Sequence, residues 1–261
     1  MKTLSTLLLC LIWIGFTASG SIAQEGSELA GKMASGSTDG DSIAKLKMQI
    51  KSGSGSNASL NLQIKSRRNA GKSQVLYQVL FPLNRKGEAA LLSQAGASTP
   101  GGYVLSPPNS APRPLGKSNL LERALNSDLA YLDLIENFFL WENQNITGSE
   151  TVGRIDCLQL ESKPGSGDSS PYSLVKSWID PKKLVAMRVE KYDSSGNMAL
   201  RIDAKNITKD DEGRFVPSSL SARRTGSGTI TEIDGSSIRH DVSYTDADFT
   251  ASTMATLKFS R

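Results

Sequence analysis

The sequence is poor in reactive and cross-linking residues: its 261 positions hold two cysteines and one histidine, and aromatic residues make up only 6%. Cys10 falls inside an N-terminal apolar run, so Cys157 stands alone in the rest of the chain and no internal disulfide can staple the fold. Stability must come from a packed core. His240, the single histidine, has no Cys-His, His-Glu-x-x-His or Gly-x-Ser-x-Gly arrangement around it, which removes the common signatures of metal-dependent and nucleophilic hydrolases. Cys157 lies in the alternating run Ile155-Asp156-Cys157-Leu158, the setting of a buried apolar thiol rather than a nucleophile. The reading therefore expects no catalytic group, no metal site and no cofactor. Charge is also unremarkable: a net +4 is spread along the chain without a block of like charges. Arg67-Arg68 and Arg223-Arg224 read as solvated strand ends, and nothing has the form of a nucleic-acid footprint.

No apolar run reaches the roughly 18 to 20 residues of a membrane-spanning helix. The longest, residues 7–16, follows Lys2 and leads to the small-residue stretch Ser21-Ile22-Ala23, the order of a cleaved secretory signal over residues 1–23. The mature chain is expected to begin near Gln24, outside the cytoplasm, with a net charge of +3 once Lys2 is gone. A retained anchor is the alternative, and the run is short for one. Lipidation at Cys10 is excluded because Leu9 precedes it where a small residue is needed. Residues 24–42, rich in Gly and Ser, read as a flexible leader that cannot repay its ordering entropy. The remaining length could hold one all-β domain or two small ones, and residues 43–261 are read as one.

Within that unit period-two patterning prevails. Leu46, Met48 and Ile50 share one face against Lys45, Lys47, Gln49 and Lys51, and Leu60, Leu62 and Ile64 repeat the alternation after a Gly/Ser turn, which predicts an antiparallel hairpin. Val75, Tyr77, Val79 and Phe81 then face one way and Leu76 and Leu80 the other, a strand apolar on both sides that Pro82 ends. Short strands are predicted at 89–93 and 103–106. After the prolines at 107, 108, 112 and 114, Leu120, Leu121, Ala124 and Leu125, and then Leu132, Ile135, Phe138 and Phe139, recur at helical spacing, with Ser127 and Asp128 as N-cap residues. Two short helices are expected. Asp128, Asp133 and Glu136 read as a cap and solvated helix positions. The remainder predicts strands at 141–147, 155–161, 172–179, 184–192, 198–207, 214–222, 228–233 and 238–244, joined by short turns. The fold class is mainly β: a strongly curved antiparallel sheet, a half-barrel whose concave side is plugged by a short helical lid, with a fully closed barrel as the alternative.

Several segments resemble a known family. Leu80-Phe81-Pro82 with residues 86–92, Tyr103-Val104-Leu105-Ser106-Pro107, residues 127–134 (Ser-Asp-Leu-Ala-Tyr-Leu-Asp-Leu), residues 178–193 and Phe215-Val216-Pro217 together resemble the outer-membrane lipoprotein-sorting proteins, the LolA-like periplasmic proteins, over residues 43–250. Where that family usually has Gly before the Ser-Asp pair and an aromatic after it, this chain has Asn126 and Leu129. The resemblance implies a half-barrel with a helical lid that binds lipid or the acyl chains of lipoproteins and carries them through the periplasm toward the outer membrane. In some members it implies a partner transporter of the resistance-nodulation-division type. It implies no enzyme.

Physical chemistry supports the same reading, because burying an acyl chain returns about 0.8 kcal/mol per methylene and needs no catalytic group. Candidate cavity residues are Tyr77, Val79, Phe81, Leu121, Leu125, Phe138, Phe139, Trp178 and Met187, chosen as apolar positions in the expected helices and on strand faces. The same apolar stretch also fits the plug of an ordinary core. Two other classes stay open: a periplasmic sensor or transporter-associated adaptor that binds a protein partner through this fold, and a hydrolase whose site the sequence does not display.

Overall fold

Tyr77 and Tyr172 lie on strands seven places apart in one sheet, yet their hydroxyls reach consecutive residues: Tyr77 donates to the Leu134 carbonyl at 2.9 Å and Tyr172 to Asp133 Oδ1 at 2.9 Å. In a flat sheet those strands would stand roughly 34 Å apart. The sheet must therefore wrap around the segment that both tyrosines touch, and its curvature defines the molecule.

The computed structural model describes residues 19–35, 40–69, 71–96, 98–107, 111–168 and 170–257. The N-terminal half supplies β1 (Gly40–Ser52), β2 (Asn57–Asn69), β3 (Lys72–Phe81), β4 (Ala89–Ala95), β5 (Gly101–Leu105) and β6 (Arg113–Leu115). The C-terminal half supplies β7 (Asn143–Val152), β8 (Ile155–Lys163), β9 (Tyr172–Asp180), β10 (Val185–Asp193), β11 (Met198–Lys209), β12 (Phe215–Arg224) and β13 (Thr229–Arg239). All pair antiparallel in the order β6-β5-β4-β3-β2-β1-β13-β12-β11-β10-β9-β8-β7. β1 and β13 join the halves at the centre, with Met48 opposite Ile233. β6 and β7 are the two edges, so the sheet is a half-barrel and not the closed barrel.

The alternation of β1, β2 and β3 places Met48, Ile50, Leu60, Leu62 and Val79 in one buried cluster on the concave face. Leu76 takes the opposite face of β3. There it packs with Leu91 and Leu105 beneath Phe249 of the C-terminal turn Asp246–Phe249, Met254 of helix α2 (Ala251–Thr256) and Leu257 at that helix's end. The strand expected at 238–244 is absent as a separate element: β13 runs through to Arg239, and the chain then leaves the sheet to cover its convex side.

Residues 116–142 cross the concave face from β6 to β7. The two helices expected here are instead four separate 3-10 turns, Lys117–Asn119, Ala124–Asn126, Leu132–Leu134 and Phe138–Leu140. Leu125 and Asn126 both adopt positive φ (55° and 63°), a left-handed pair that no α-helix can pass through. The chain doubles back there, and Arg123 and Ala130 pair as an isolated antiparallel bridge.

The flexible leader also needs correction. Ser19–Ser35 is helix α1, and its Leu29, Ala30 and Met33 pack on Leu160, Ile179 and Phe139 at the β7 end of the concave face. The helical signal was a short apolar stripe with the Glu28–Lys32 pair, acid before base at i,i+4, closed at 2.7 Å. The apolar run 7–16 lies outside the described residues.

Gly26 brings α1 against β7, because a Cβ at that position would run into the Gln144 backbone carbonyl. Gly31 on the same helix has open space around it. Gly26→Val is expected to undock α1 and lower stability by about 1–3 kcal/mol, as overpacking against rigid backbone does. Gly31→Val should stay within roughly 0.5 kcal/mol, the range of ordinary surface substitutions. Thermal unfolding of both variants, with hydrogen exchange over residues 24–35, checks the contrast.

Candidate functional site

The concave face holds two kinds of surface: a buried ionic cluster that fixes the crossing segment, and apolar space beside it. At the centre of the cluster is Asp133, fully buried, whose Oδ1 lies 2.9 Å from Lys191 Nζ and whose Oδ2 lies 2.6 Å from an Arg224 amino group. Asp133 also accepts from the Ala130 backbone N–H at 2.8 Å and from the Tyr172 hydroxyl. Lys191, only 3% exposed, reaches Glu136 at 3.2 Å and lies over the rings of Tyr172 and Phe138 at 4.8 and 5.5 Å. A second anchor is Asp128. Its carboxylate accepts from Thr229 Oγ1 at 2.8 Å and Thr231 Oγ1 at 2.7 Å, while its backbone N–H donates to Thr231 and its carbonyl accepts from Arg224.

The sequence reading is thereby corrected at four charged positions. Asp128 is no N-cap, Asp133 and Glu136 are not solvated, and Arg224 is not a free strand end. Each acid found its partner on the sheet, where burial makes an unpaired charge costly.

These environments set the proton affinities. Burial alone would raise the Asp128 carboxyl, but hydrogen bonds from Ser227, Thr231 and Thr229 outweigh it and hold the group below its ordinary value. For Lys191 burial opposes the charge, yet Asp133 and Glu136 overcome it and push the ammonium above its usual range. Burial, reinforced by Asp133, pushes the Tyr172 phenol up to about 12.

Apolar space adjoins this cluster. A cavity of about 240 Å³ lies between the crossing segment and the sheet, lined by Leu46, Leu62, Ile64, Tyr77, Leu129, Leu134 and Ile202 among others, with Leu220, Ala222 and Ile233 closing its floor. A second of about 160 Å³ shares Leu46, Ile64, Leu220 and Ile233 with it and continues to Ala44, Val216 and Pro217. Pro217 also borders a third space, an open groove of about 610 Å³ between α1, the turn at Phe138–Leu140 and the β9–β10 and β11–β12 turns. The three lie side by side along one trough on the concave face, the first two joined through four shared residues and the third bordering the second at Pro217, and the groove falls in the size range of small-molecule sites.

The nine candidate residues distribute unevenly around this trough. Tyr77 lines the inner cavity, and Phe138 and Phe139 line the groove, their ring centroids 4.4 Å apart. Val79 and Leu125 are buried on the concave face in the cluster next to the inner cavity. Phe81 and Leu121 point to solvent at 52% and 47% exposure. Trp178 and Met187 pack with Cys157 and Val185 on the convex face, where the Trp178 indole donates to Glu150 at 2.7 Å. Most of the inner lining, Leu129, Leu134, Ile202, Leu220, Ala222 and Ile233, was not among the candidates. Period-two alternation on β11, β12 and β13 was the signal that could have found it.

Asp210, Asp211 and His240 bring ligand-type atoms within 4.8 Å of one another. A cation already occupies this cluster, because Arg214 lies 2.8 Å from both Asp210 Oδ2 and His240 Nε2 while Asp211 holds His240 Nδ1. The group is built around a guanidinium, and Arg214 would have to leave before a metal ion could enter.

A curved open sheet, a segment pinned across its concave face and apolar cavities beneath it define an antiparallel half-barrel. A family model described as "Uncharacterized protein" matches residues 71–256, and the chain belongs to that family, DUF1329. Among solved structures the fold is similar to a DUF1329 family protein from Desulfovibrio piger, at TM-score 0.83 and 24% identity over 89% of this chain and 99% of that one. It is similar also to a putative outer membrane lipoprotein-sorting protein domain from Vibrio parahaemolyticus, at TM-score 0.80 and 20% identity over 89% and 99%. A LolA superfamily protein from Nitrosomonas europaea aligns at TM-score 0.68 and 19% identity over 88% and 97%. No curated protein matches the sequence.

Lys191→Met should leave Asp133 and Glu136 without their shared cation and cost about 3–5 kcal/mol, measured by denaturant unfolding. The pH profile of stability follows from the shifts. The Asp128 contribution is complete above the ordinary carboxylate value near 3.9 and is lost as pH falls through its lowered native value. Those of Lys191 and Tyr172, both raised, are complete below about pH 10 and are lost as pH rises toward their native values. Melting temperature against pH should show both arms, and Asp128→Asn should shrink only the acid one, the rest of which comes from other carboxyls held low, Asp203 and Asp210 among them.

Proposed function

We propose that this protein is a periplasmic carrier that holds lipid, or the acyl chains of lipoproteins, in the trough beneath residues 116–142 and moves them toward the outer membrane. The observation that carries the reading is the inner cavity itself, whose walls are Leu, Ile, Met and Ala with only the Tyr77 hydroxyl and the Asp133 carboxylate as polar groups. Both are engaged, Tyr77 with the Leu134 carbonyl and Asp133 in its ion pairs, so the space offers hydrocarbon contact and no group free to act on a substrate. Cys157 is buried on the far face, and burial raises its thiol further from reactivity. The secretory signal expected from the sequence over residues 1–23, and the likeness of the fold to the Vibrio parahaemolyticus domain named for lipoprotein sorting, support this reading. A delivery partner of the resistance-nodulation-division type belongs to the same proposal.

Mass spectrometry of the protein purified gently from its native periplasm tests the reading. A stoichiometric acylated species is the expected result, and an empty trough under conditions that keep a known carrier loaded would overturn it in favour of an adaptor. Phe139→Asp puts a charge on the wall where groove and α1 meet. It is expected to reduce uptake of a long-chain lipid at least about tenfold, given a cost of several kcal/mol for a carboxylate against hydrocarbon, while circular dichroism of the sheet stays unchanged.

A further inference from the structure

A polar cavity of about 410 Å³ lies apart from the trough, where the turn after β3, the end of β5 and the chain reversal at Leu125 and Asn126 meet. It shares no lining residue with the three spaces of the trough. Arg85 ties two of its walls together, since its guanidinium donates to the Leu125 carbonyl at 3.2 Å and pairs with Glu88 at 2.7 Å. Tyr131, also in the lining, is only 8% exposed and its ring is fixed in the core beside Val104, Leu115 and Ile135, yet its hydroxyl has no hydrogen-bond partner among the described residues. Buried tyrosine hydroxyls ordinarily find one, as those of Tyr77 and Tyr172 do. Burial raises the Tyr131 phenol above its ordinary value, with Glu88 and Glu122 adding to the rise against Arg113 and Arg85, so the group keeps its proton to donate.

The charges around that hydroxyl are matched. Arg85 has Glu88, Glu122 has Arg113 at 2.7 Å, and Arg123 is held by the Ser127 and Asn126 carbonyls, by Thr229 Oγ1 and, at 3.9 Å, by Asp128. An ionic ligand would have to break one of these pairs to gain a partner. The groups left unengaged beside Tyr131 are the Asn84 and Asn126 amides and the Ser106 hydroxyl. All four side chains both give and take hydrogen bonds, whereas a carboxylate or phosphate only accepts and an ammonium only donates. A sugar hydroxyl does both, and the cavity is of the size that small molecules occupy. We propose that this cavity binds an uncharged sugar, with Tyr131 as the fixed contact and Asn84, Ser106 and Asn126 meeting the hydroxyls of the ring.

An array of neutral and acidic glycans probed with the full mature chain, followed by titration calorimetry of the strongest neutral glycan, tests this. The expected result is a neutral glycan that binds the wild type and is weakened about three- to tenfold by Tyr131→Phe and by Asn126→Gly, the contribution of one hydrogen bond. Both variants should fold: the first removes an unpaired hydroxyl and the second places glycine at a φ of 63°, so neither melting temperature should fall by more than about 2 °C. Binding of acidic glycans alone, or of no glycan, overturns the proposal. A neutral glycan bound equally by the wild type and both variants overturns its assignment to this cavity. A larger fall in melting temperature for Tyr131→Phe would show that the hydroxyl is engaged within the fold, and would overturn the proposal at its premise. The carrier reading stands under each of these outcomes, because its trough lies elsewhere.

Discussion

The ion cluster of Asp133 with Lys191 and Arg224 is the constraint on which the rest of the concave face depends. Asp133 sits in a single 3-10 turn with no α-helix to hold it, while its partners project from β10 and β12, strands paired on both sides within the sheet. A buried ion pair adds little net stability compared with a well-packed apolar plug, because desolvation consumes most of its attraction. Its effect is on position. With Tyr77 and Tyr172 binding residues 134 and 133 from opposite arms of the sheet, the cluster sets how far those arms can spread, and hence the width of the trough.

The irregularity of the crossing segment is what leaves that trough empty. Two amphipathic helices laid on a half-barrel would press continuous apolar stripes into it and fill it as an ordinary core. A chain that reverses at Leu125 and Asn126 and advances by single 3-10 turns touches the sheet in separate places. Tyr131 and Ile135 pack toward β3, β4 and β5, Leu132 and Phe138 toward β9, and Leu129 on Leu200 and Ala222. Between these footholds the strands are uncovered, and the apolar cavities are the uncovered portions.

The sheet was legible in the sequence because each strand of a one-sided sheet must alternate. Leu46, Met48 and Ile50, or Leu60, Leu62 and Ile64, could not be shifted by one residue without exposing a whole face. Residues 127–134 and the other segments of the resemblance point to the right fold, yet they do not fix the local structure, since dense apolar residues at three- and four-residue spacing are common to helices and to chains of tight turns. Asp128 and Asp133 read as a cap and a surface acid in the sequence because their partners, Thr231, Lys191 and Arg224, lie roughly 60 to 100 residues away and only strand pairing brings them close. Lys191 did leave a trace, a lysine two residues after inward-facing Val189. Trp178 could not be assigned a face, because β9 is apolar on both sides, and the bulge between Ala186 and Arg188 shifts the parity of Met187 against its neighbours.

The same interactions indicate which side of the trough can open. Lifting residues 128–136 would strand Asp128, Asp133, Glu136, Lys191 and Arg224 together, and a single buried charge left without its partner costs about 3–5 kcal/mol. At the groove, α1 meets the sheet through Leu29, Ala30 and Met33, and its charged pair Glu28–Lys32 is exposed, an interaction of at most about 1 kcal/mol. Separating α1 from Phe139 and Ile179 exposes apolar surface, and an entering hydrocarbon chain covers that kind of surface again. In the proposed carrier the pinned middle and the loosely closed mouth would thus have different parts: the first would preserve the shape of the trough, and the second is where cargo would replace protein contacts of its own kind.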